Sequence, residues 1–181
     1  MKVLIVYATR GGAAAKAAAF LASHFEKVIV RNLGRSMPDP TSYDLVIFGS
    51  GTHFGKIYIE LEEWLDRYWK VLKKKPKAVF ICNVFQEEET AILKSNFSEG
   101  MMKNAAAVGA FGGEFHSEKL TRKDKMLLRV KKKELLSPGL KELMPCLLTW
   151  KMERFLADID CFMDEWMKNM GIRRDVREED W

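Results

Sequence analysis

The chain of 181 residues has few of the residues that build metal centres and disulfide frameworks, with three cysteines and three histidines. Cys82, Cys146 and Cys161 have neither the paired spacing of a disulfide framework nor the spacing of metal ligands. Thiols used in this way fit a reducing cytosol. The sequence also offers no Ser-His-Asp arrangement for nucleophilic catalysis. We therefore expect no metal site, no disulfide scaffold and no triad chemistry.

Long hydrophobic runs and an export signal are also missing. No apolar run approaches the ~20 residues that a helix needs to span a bilayer, and Met1-Lys2 leads directly into an apolar strand rather than into a signal peptide. These features predict a cytoplasmic protein, with association at a membrane surface as the alternative. The net charge of +5 is modest. Its basic clusters at 73–77 and 122–133 are expected to be solvated faces, with no nucleic-acid partner.

Strand and helix patterns alternate along the chain. Unbroken apolar runs such as Val3–Ala8 are typical of parallel strands covered on both faces, and apolar residues at helical spacing over 57–72 indicate an amphipathic helix. Predicted strands cover 3–8, 27–32, 43–50, 78–84 and 105–111, and predicted helices cover 12–25, 57–72, 90–103 and 153–170. The pattern predicts one α/β domain over 1–181, built on a doubly wound five-stranded parallel sheet with helices on both faces.

One segment interrupts the alternation. About 40 residues, 112–150, separate the last predicted strand from the last predicted helix, far more than a usual connection. Basic residues are interleaved with apolar ones there, which predicts either a helix that covers the sheet edge or a basic amphipathic surface over 120–150 that contacts a membrane or a partner. The apolar residues of 140–150 could bury against a second copy of the chain, so an oligomer stays open.

The turn after the first strand has the features of an anion site. At this edge of a parallel sheet, free N–H groups and the positive end of a helix dipole converge. The loop lacks both the G-x-G-x-x-G spacing of a dinucleotide site and the Gly-Lys-Ser/Thr of a nucleoside triphosphate loop, so it suits a single phosphomonoester. The alternative is an ordinary turn without a ligand. The residues predicted to hold the phosphate are Thr9, Arg10, Gly11, Gly12, Ala13 and Ala14.

Two further loops follow the third and fourth predicted strands, where ligands of open parallel sheets sit. Small residues, aromatic rings and amide side chains in these loops suit the faces and edges of a flat heteroaromatic ring. His53 is the one candidate proton donor near that ring, and its alternative is a merely solvated histidine. The residues predicted to frame the ring are Ser50, Gly51, Thr52, His53, Phe54, Gly55, Asn83, Val84, Phe85 and Gln86.

Two segments carry a family resemblance: Tyr-Ala-Thr-Arg-Gly-Gly at 7–12 and Tyr-Asp-Leu-Val-Ile-Phe-Gly-Ser-Gly-Thr-His-Phe-Gly-Lys at 43–56. They resemble the flavodoxin fold, over residues 1–115 and again in the last helix. The resemblance implies a sheet of order 2-1-3-4-5, with the phosphate of FMN in the first loop and the isoalloxazine between the other two.

A narrower resemblance is to the flavodoxin-type, menaquinone-dependent protoporphyrinogen oxidases. It is carried by the arginine after the loop threonine, by the aromatic-glycine pair Phe54-Gly55 and by the long basic insertion. This likeness implies an FMN-dependent oxidoreductase that oxidises a porphyrinogen-type substrate and passes electrons to a quinone.

Two departures from the family pattern keep other functions open. Ala13 and Ala14 stand where phosphate loops usually end in a hydroxyl residue, which leaves open a non-catalytic interaction module with the same fold. An electron-carrying flavodoxin is the other alternative. The basic balance of the chain disfavours a carrier, because an acidic surface is common in such carriers and docks on basic redox partners.

Overall fold

The computed structural model describes residues 1–84, 88–113 and 146–171. Six strands form the sheet: Val3–Ala8 (β1), Val28–Asn32 (β2), Leu45–His53 (β3), Lys56–Ile57 (β4), Lys77–Cys82 (β5) and Ala107–Ala110 (β6). The described ranges also hold five helices: Ala13–Ala22 (α1), Ile59–Leu72 (α2), Glu89–Asn96 (α3), Glu99–Lys103 (α4) and Thr149–Asn169 (α5). The predicted alternation of strands and helices is confirmed in these ranges.

Five of the strands run parallel in the order β2-β1-β3-β5-β6. β4 is a two-residue strand that pairs antiparallel with the end of β3, and without it the order is the predicted 2-1-3-4-5. Ile5 of β1 is in register with Val30 of β2 and Ile47 of β3. The strand order reverses between β1 and β3, so the crevice beyond their carboxyl ends is where a ligand is expected.

Helices cover both faces of the sheet. α1 and α5 pack on one face, and the residues they bury there include Ala14, Ala17, Leu21, Phe155, Ile159 and Met163. α2 and α3 pack on the other face, where they bury Leu61, Trp64, Leu65, Leu72 and Ile92. In β1, Val3 and Ile5 contact the first layer and Leu4 contacts the second. The strand is apolar throughout because both of its faces are covered.

Several element boundaries differ from the sequence prediction. β3 continues to His53 instead of ending at residue 50, because the chain turns back there and pairs as β4. The helix predicted over 90–103 is two helices, since Ser98 has extended backbone and its side chain accepts a hydrogen bond from the N–H of Met101, which caps α4. The last helix begins at Thr149, earlier than residue 153.

The basic cluster at 73–77 is only partly solvated. Lys77, the first residue of β5, is 2% exposed. Its Nζ donates to the carbonyl oxygen of Asn104 at 3.2 Å and lies 5.8 Å from the centroid of the Trp69 ring. Burial lowers the pKa of the Lys77 ammonium. The expectation of a solvated face is therefore wrong for Lys77, whose side chain is buried at the start of β5 beside Trp69 and Asn104.

Most of the predicted insertion, including the cluster at 122–133, lies outside the described residues. Its two ends are described: Gly112 and Leu147 form an antiparallel bridge, and the N–H of Leu148 donates to the carbonyl of Phe111 at 2.8 Å. The chain thus leaves and rejoins the sheet at the same edge. Among the described residues, no helix is long and apolar enough to cross a bilayer, and no cluster of side chains could hold a metal ion.

Candidate functional site

The carboxyl ends of β1, β3 and β5 lie side by side, because these strands are parallel neighbours. Ala8 of β1 pairs with Ser50 of β3, and Gly51 of β3 pairs with Cys82 of β5. The three loops singled out in the sequence therefore leave the sheet at one edge, and their described parts come together there. Phe85 and Gln86 of the third loop lie outside the described residues.

The first loop enters α1 through a left-handed turn. Gly12 is the N-cap, with φ 98°, a conformation that glycine adopts without steric cost. Its N–H donates to Oγ1 of Thr9 at 2.9 Å. A side-chain carbon added at Gly11 or Gly12 would meet no atom within 4 Å, so the loop has an open face.

The donors at this helix end are backbone groups. The first N–H groups of an α-helix have no partner inside the helix, and Gly12 has no side chain to cap them. Ala13 and Ala14 are buried between α1 and the sheet, so these positions supply main-chain N–H groups rather than hydroxyls. Uncapped N–H groups, an open approach and the positive end of the dipole fit a single phosphate.

Arg10 stands at the rim of this loop, with its side chain 71% exposed. The guanidinium carbon lies 5.2 Å from the centroid of the Tyr58 ring, and Nη2 lies 4.0 Å from Oε1 of Glu60. Tyr58 is the N-cap of α2 and Glu60 belongs to its first turn. Arg10 therefore connects the first loop to the second, through residues that the sequence analysis did not single out.

The second predicted loop is a hairpin. Its tip is formed by Phe54 and Gly55, both with positive φ, 52° and 74° respectively. Asn96 of α3 supports the hairpin from below: Nδ2 donates to the carbonyl of Gly55 at 2.7 Å, and Oδ1 accepts from the N–H of Ile57 at 3.2 Å. A helix outside the three loops thus fixes the position of the tip.

The hairpin separates a buried hydroxyl from an exposed aromatic pair. Ser50 is fully buried; its Oγ donates to the carbonyl of Gly51 at 2.6 Å and accepts from the N–H of Tyr58 at 3.1 Å. Phe54 is 60% exposed, and its ring centroid lies 4.2 Å from that of His53. Ser50 therefore holds the base of the hairpin, whereas His53 and Phe54 form its outer surface.

The third loop is joined to the second by a side-chain hydrogen bond. Oγ1 of Thr52 donates to Oδ1 of Asn83 at 2.9 Å, and Asn83 is 6% exposed. Val84 lies against Gly113, where an added side-chain carbon would come within 3.0 Å of the Val84 nitrogen. Close backbone packing at Gly113 thus supports the described part of this loop.

Comparison with known proteins assigns the family. A family model described as a flavodoxin domain matches residues 4–138. The chain belongs to the flavodoxin domain family. The match includes the first loop, the hairpin and Asn83, so the predicted fold family is confirmed. No curated protein sequence matches the chain.

Several solved structures are similar to this flavodoxin-domain chain. A flavoprotein in complex with FMN from Lactobacillus acidophilus is 19% identical over 60% of this chain and 92% of its own, with a TM-score of 0.47. Oxidised flavodoxin 1 from Bacillus cereus is 15% identical over 76% of this chain and 100% of its own, with a TM-score of 0.44.

A third structure, rubredoxin oxygen:oxidoreductase from Desulfovibrio gigas, is 22% identical over 75% of this chain and 37% of its own, with a TM-score of 0.45. None of these matches points to the protoporphyrinogen oxidase branch. The family assignment rests on the family model alone.

Proposed function

We infer that this flavodoxin-domain chain is an FMN flavoprotein that transfers electrons. One observation carries the inference: the loops after β1, β3 and β5 form one continuous site, joined by Arg10 with Tyr58 and by Thr52 with Asn83. The cofactor is FMN, because the site combines a loop for one phosphate with an adjacent surface for a flat ring, in a chain of the flavodoxin domain family.

Different residues of the site would bind different parts of the cofactor. The N–H groups at the start of α1, with Arg10, would hold the phosphate. Gly51, Thr52, His53, Phe54 and Gly55 on one side, with Asn83 and Val84 on the other, would frame the ring. Ser50 contributes through the shape of the hairpin, because its hydroxyl is buried and bonded within the protein.

FMN supplies the electron chemistry, and the protein supplies binding, orientation and the electrostatic surroundings. The hairpin does the orienting, since Asn96 and Ser50 fix its tip and its base. His53 stays a predicted proton donor, supported by its place at the outer surface beside Phe54.

The test is the absorbance spectrum of the purified protein, followed by a titration of FMN with the cofactor-free protein. We expect a yellow protein, and saturable quenching of FMN fluorescence at one FMN per chain. A colourless protein that leaves FMN fluorescence unchanged would overturn the proposal and favour the non-catalytic interaction module.

Oxidation of a porphyrinogen-type substrate, with electrons passed to a quinone, is the finer form of this proposal. Its support is the sequence resemblance and the net charge of +5, which suits a substrate with carboxylate groups. An anaerobic assay of porphyrinogen oxidation with a quinone acceptor tests it. Turnover supports the oxidoreductase. If porphyrinogen is not turned over, but the bound FMN is reduced by dithionite and reoxidised by an added electron acceptor, the electron-carrying flavodoxin is supported instead.

The remaining predictions about partners concern residues that lie mostly outside the described ranges. A membrane contact through 120–150 and an oligomer formed through 140–150 both stay predictions. Sedimentation with anionic vesicles tests the first, and light scattering of the purified protein tests the second.

A further inference from the structure

The cation of the phosphate loop is held by a carboxylate of a different element. Arg10 follows β1, whereas Glu60 lies in the first turn of α2. Nη2 of Arg10 is 4.0 Å from Oε1 of Glu60, and the same guanidinium lies over the Tyr58 ring. Both contacts draw Arg10 toward α2.

Glu60 has an unusual environment for a residue at the protein surface. Its side chain is 30% exposed, but Oε2 is buried and has no hydrogen-bond partner among the described residues. Oε1 is the oxygen near Arg10. A buried carboxylate oxygen without a donor is costly, and the positive charge of Arg10 offsets part of that cost. Each of the two residues therefore stabilises the other in the absence of a ligand.

Resting on the proposed FMN site, we propose that Glu60 sets the affinity for the phosphate by restraining Arg10. A phosphate at the start of α1 and the carboxylate of Glu60 compete for one guanidinium. Binding of FMN weakens the ion pair between Arg10 and Glu60. The positive charge of Arg10 then offsets less of the cost of burying Oε2 of Glu60. Glu60 thereby limits FMN affinity, and it does so through Arg10.

Restraint of Arg10 affects binding of the phosphate and not of the ring, so FMN and riboflavin should respond to it differently. Riboflavin has the same isoalloxazine as FMN but no phosphate. It makes no demand on Arg10, and its binding is independent of Glu60. The ratio of the FMN affinity to the riboflavin affinity therefore measures the effect of the ion pair between Arg10 and Glu60 on binding.

The experiment measures the dissociation constants of FMN and riboflavin by flavin fluorescence for the wild type, Glu60→Gln, Arg10→Ala and the double variant. Glu62→Gln is the matched control, because Glu62 is an exposed acid of the same first turn and its loss changes the net charge by the same amount. Glu60→Gln should tighten FMN binding by about 1.5-fold to fivefold, the usual range for a partly exposed ion pair. Glu62→Gln should leave it unchanged.

The double variant identifies the route. In the Arg10→Ala background, Glu60→Gln should no longer change FMN affinity, and riboflavin affinity should not respond to Glu60→Gln in either background. Unchanged FMN affinity in Glu60→Gln overturns the inference, as does equal tightening with and without Arg10, which would indicate direct repulsion of the phosphate. If the wild type binds no FMN, the proposed function itself fails, a result distinct from either of these.

Discussion

The hydroxyl of Thr52 donates to the side-chain oxygen of Asn83 across 2.9 Å, joining the end of β3 to the residue that follows β5. Both residues lie on loops that were expected to frame a flavin ring. The bond fixes the separation of the two loops before any ligand enters. Ligand binding to a preorganised site loses less conformational entropy.

Replacing Thr52 by valine tests this link. Thr52→Val keeps the shape of the side chain but removes the donor, so we expect the free energy of unfolding to fall by about 0.5–1.5 kcal/mol. FMN should also bind more weakly. Thr52→Ser retains the hydroxyl and should behave like the wild type in both chemical denaturation and FMN titration. Equal stability of all three proteins would contradict a structural role for the bond.

Two neighbouring glycines of the first loop should respond differently to alanine. Gly12 has φ 98°, whereas Gly11 does not have a positive φ. At either position an added methyl group would meet no atom within 4 Å. Gly12→Ala should therefore lower stability by about 1–2 kcal/mol, the cost of a left-handed alanine. Gly11→Ala should stay within about 0.5 kcal/mol of the wild type. Thermal unfolding of the two variants measures the difference, and identical losses would show that φ is not the cause.

Arg10→Ala should weaken FMN binding by about tenfold, because it removes a charged donor near the phosphate. Riboflavin binding should not change. His24→Ala is the control, since His24 contacts Asp160 at 2.9 Å, joining the end of α1 to α5. That substitution should leave FMN affinity as it is. Equal FMN affinity in Arg10→Ala and the wild type would show that Arg10 does not contribute to binding of the phosphate.

The buried Lys77 makes the free energy of unfolding depend on pH, in a direction that follows from its pKa shift. Burial lowers its pKa below the ordinary 10.5, so the folded protein loses this proton at a lower pH than the unfolded chain. Between the two pKa values the unfolded state binds more protons, and the contribution of Lys77 to stability rises with pH. Below the folded pKa, the full cost of burying the charge remains.

Lys77→Met should therefore be more stable than the wild type at neutral pH, and the gain should shrink as the pH approaches 10.5. Lys74→Met, at an exposed position, should change stability by less than about 0.5 kcal/mol. Urea denaturation at several pH values measures both variants. A gain that is independent of pH would mean that the charge of Lys77 is not what costs stability.

The strand order was what the family resemblance implied, and most strands and helices could be predicted from the pattern of apolar residues. Local exceptions could not. The pairing that extends β3 to His53 depends on a turn with Phe54 at positive φ, which is rare for an aromatic residue. The break between α3 and α4 depends on Ser98 acting as a cap, although serine is also tolerated inside helices.

For the candidate site, the sequence predicted which loops to consider but not how they are connected. Loop composition and strand order were enough to name Arg10 and Thr52. Tyr58, Glu60 and Asn96 were missed because they lie on helices next to the loops, and their contacts exist only once α2 and α3 pack on the sheet. The ligand role of Ser50 stays a prediction, and the sequence did not show that its hydroxyl would bond within the hairpin.

The bridge between Gly112 and Leu147 has a consequence for how this protein can vary. Since Gly112 and Leu147 pair with each other, the two ends of the passage between them are held together. For a flexible connection with fixed ends, doubling the length costs only about 0.6 kcal/mol. A change in the length of this passage is therefore tolerated thermodynamically, whereas Gly113 next to its first end packs on Val84 and is not free to move.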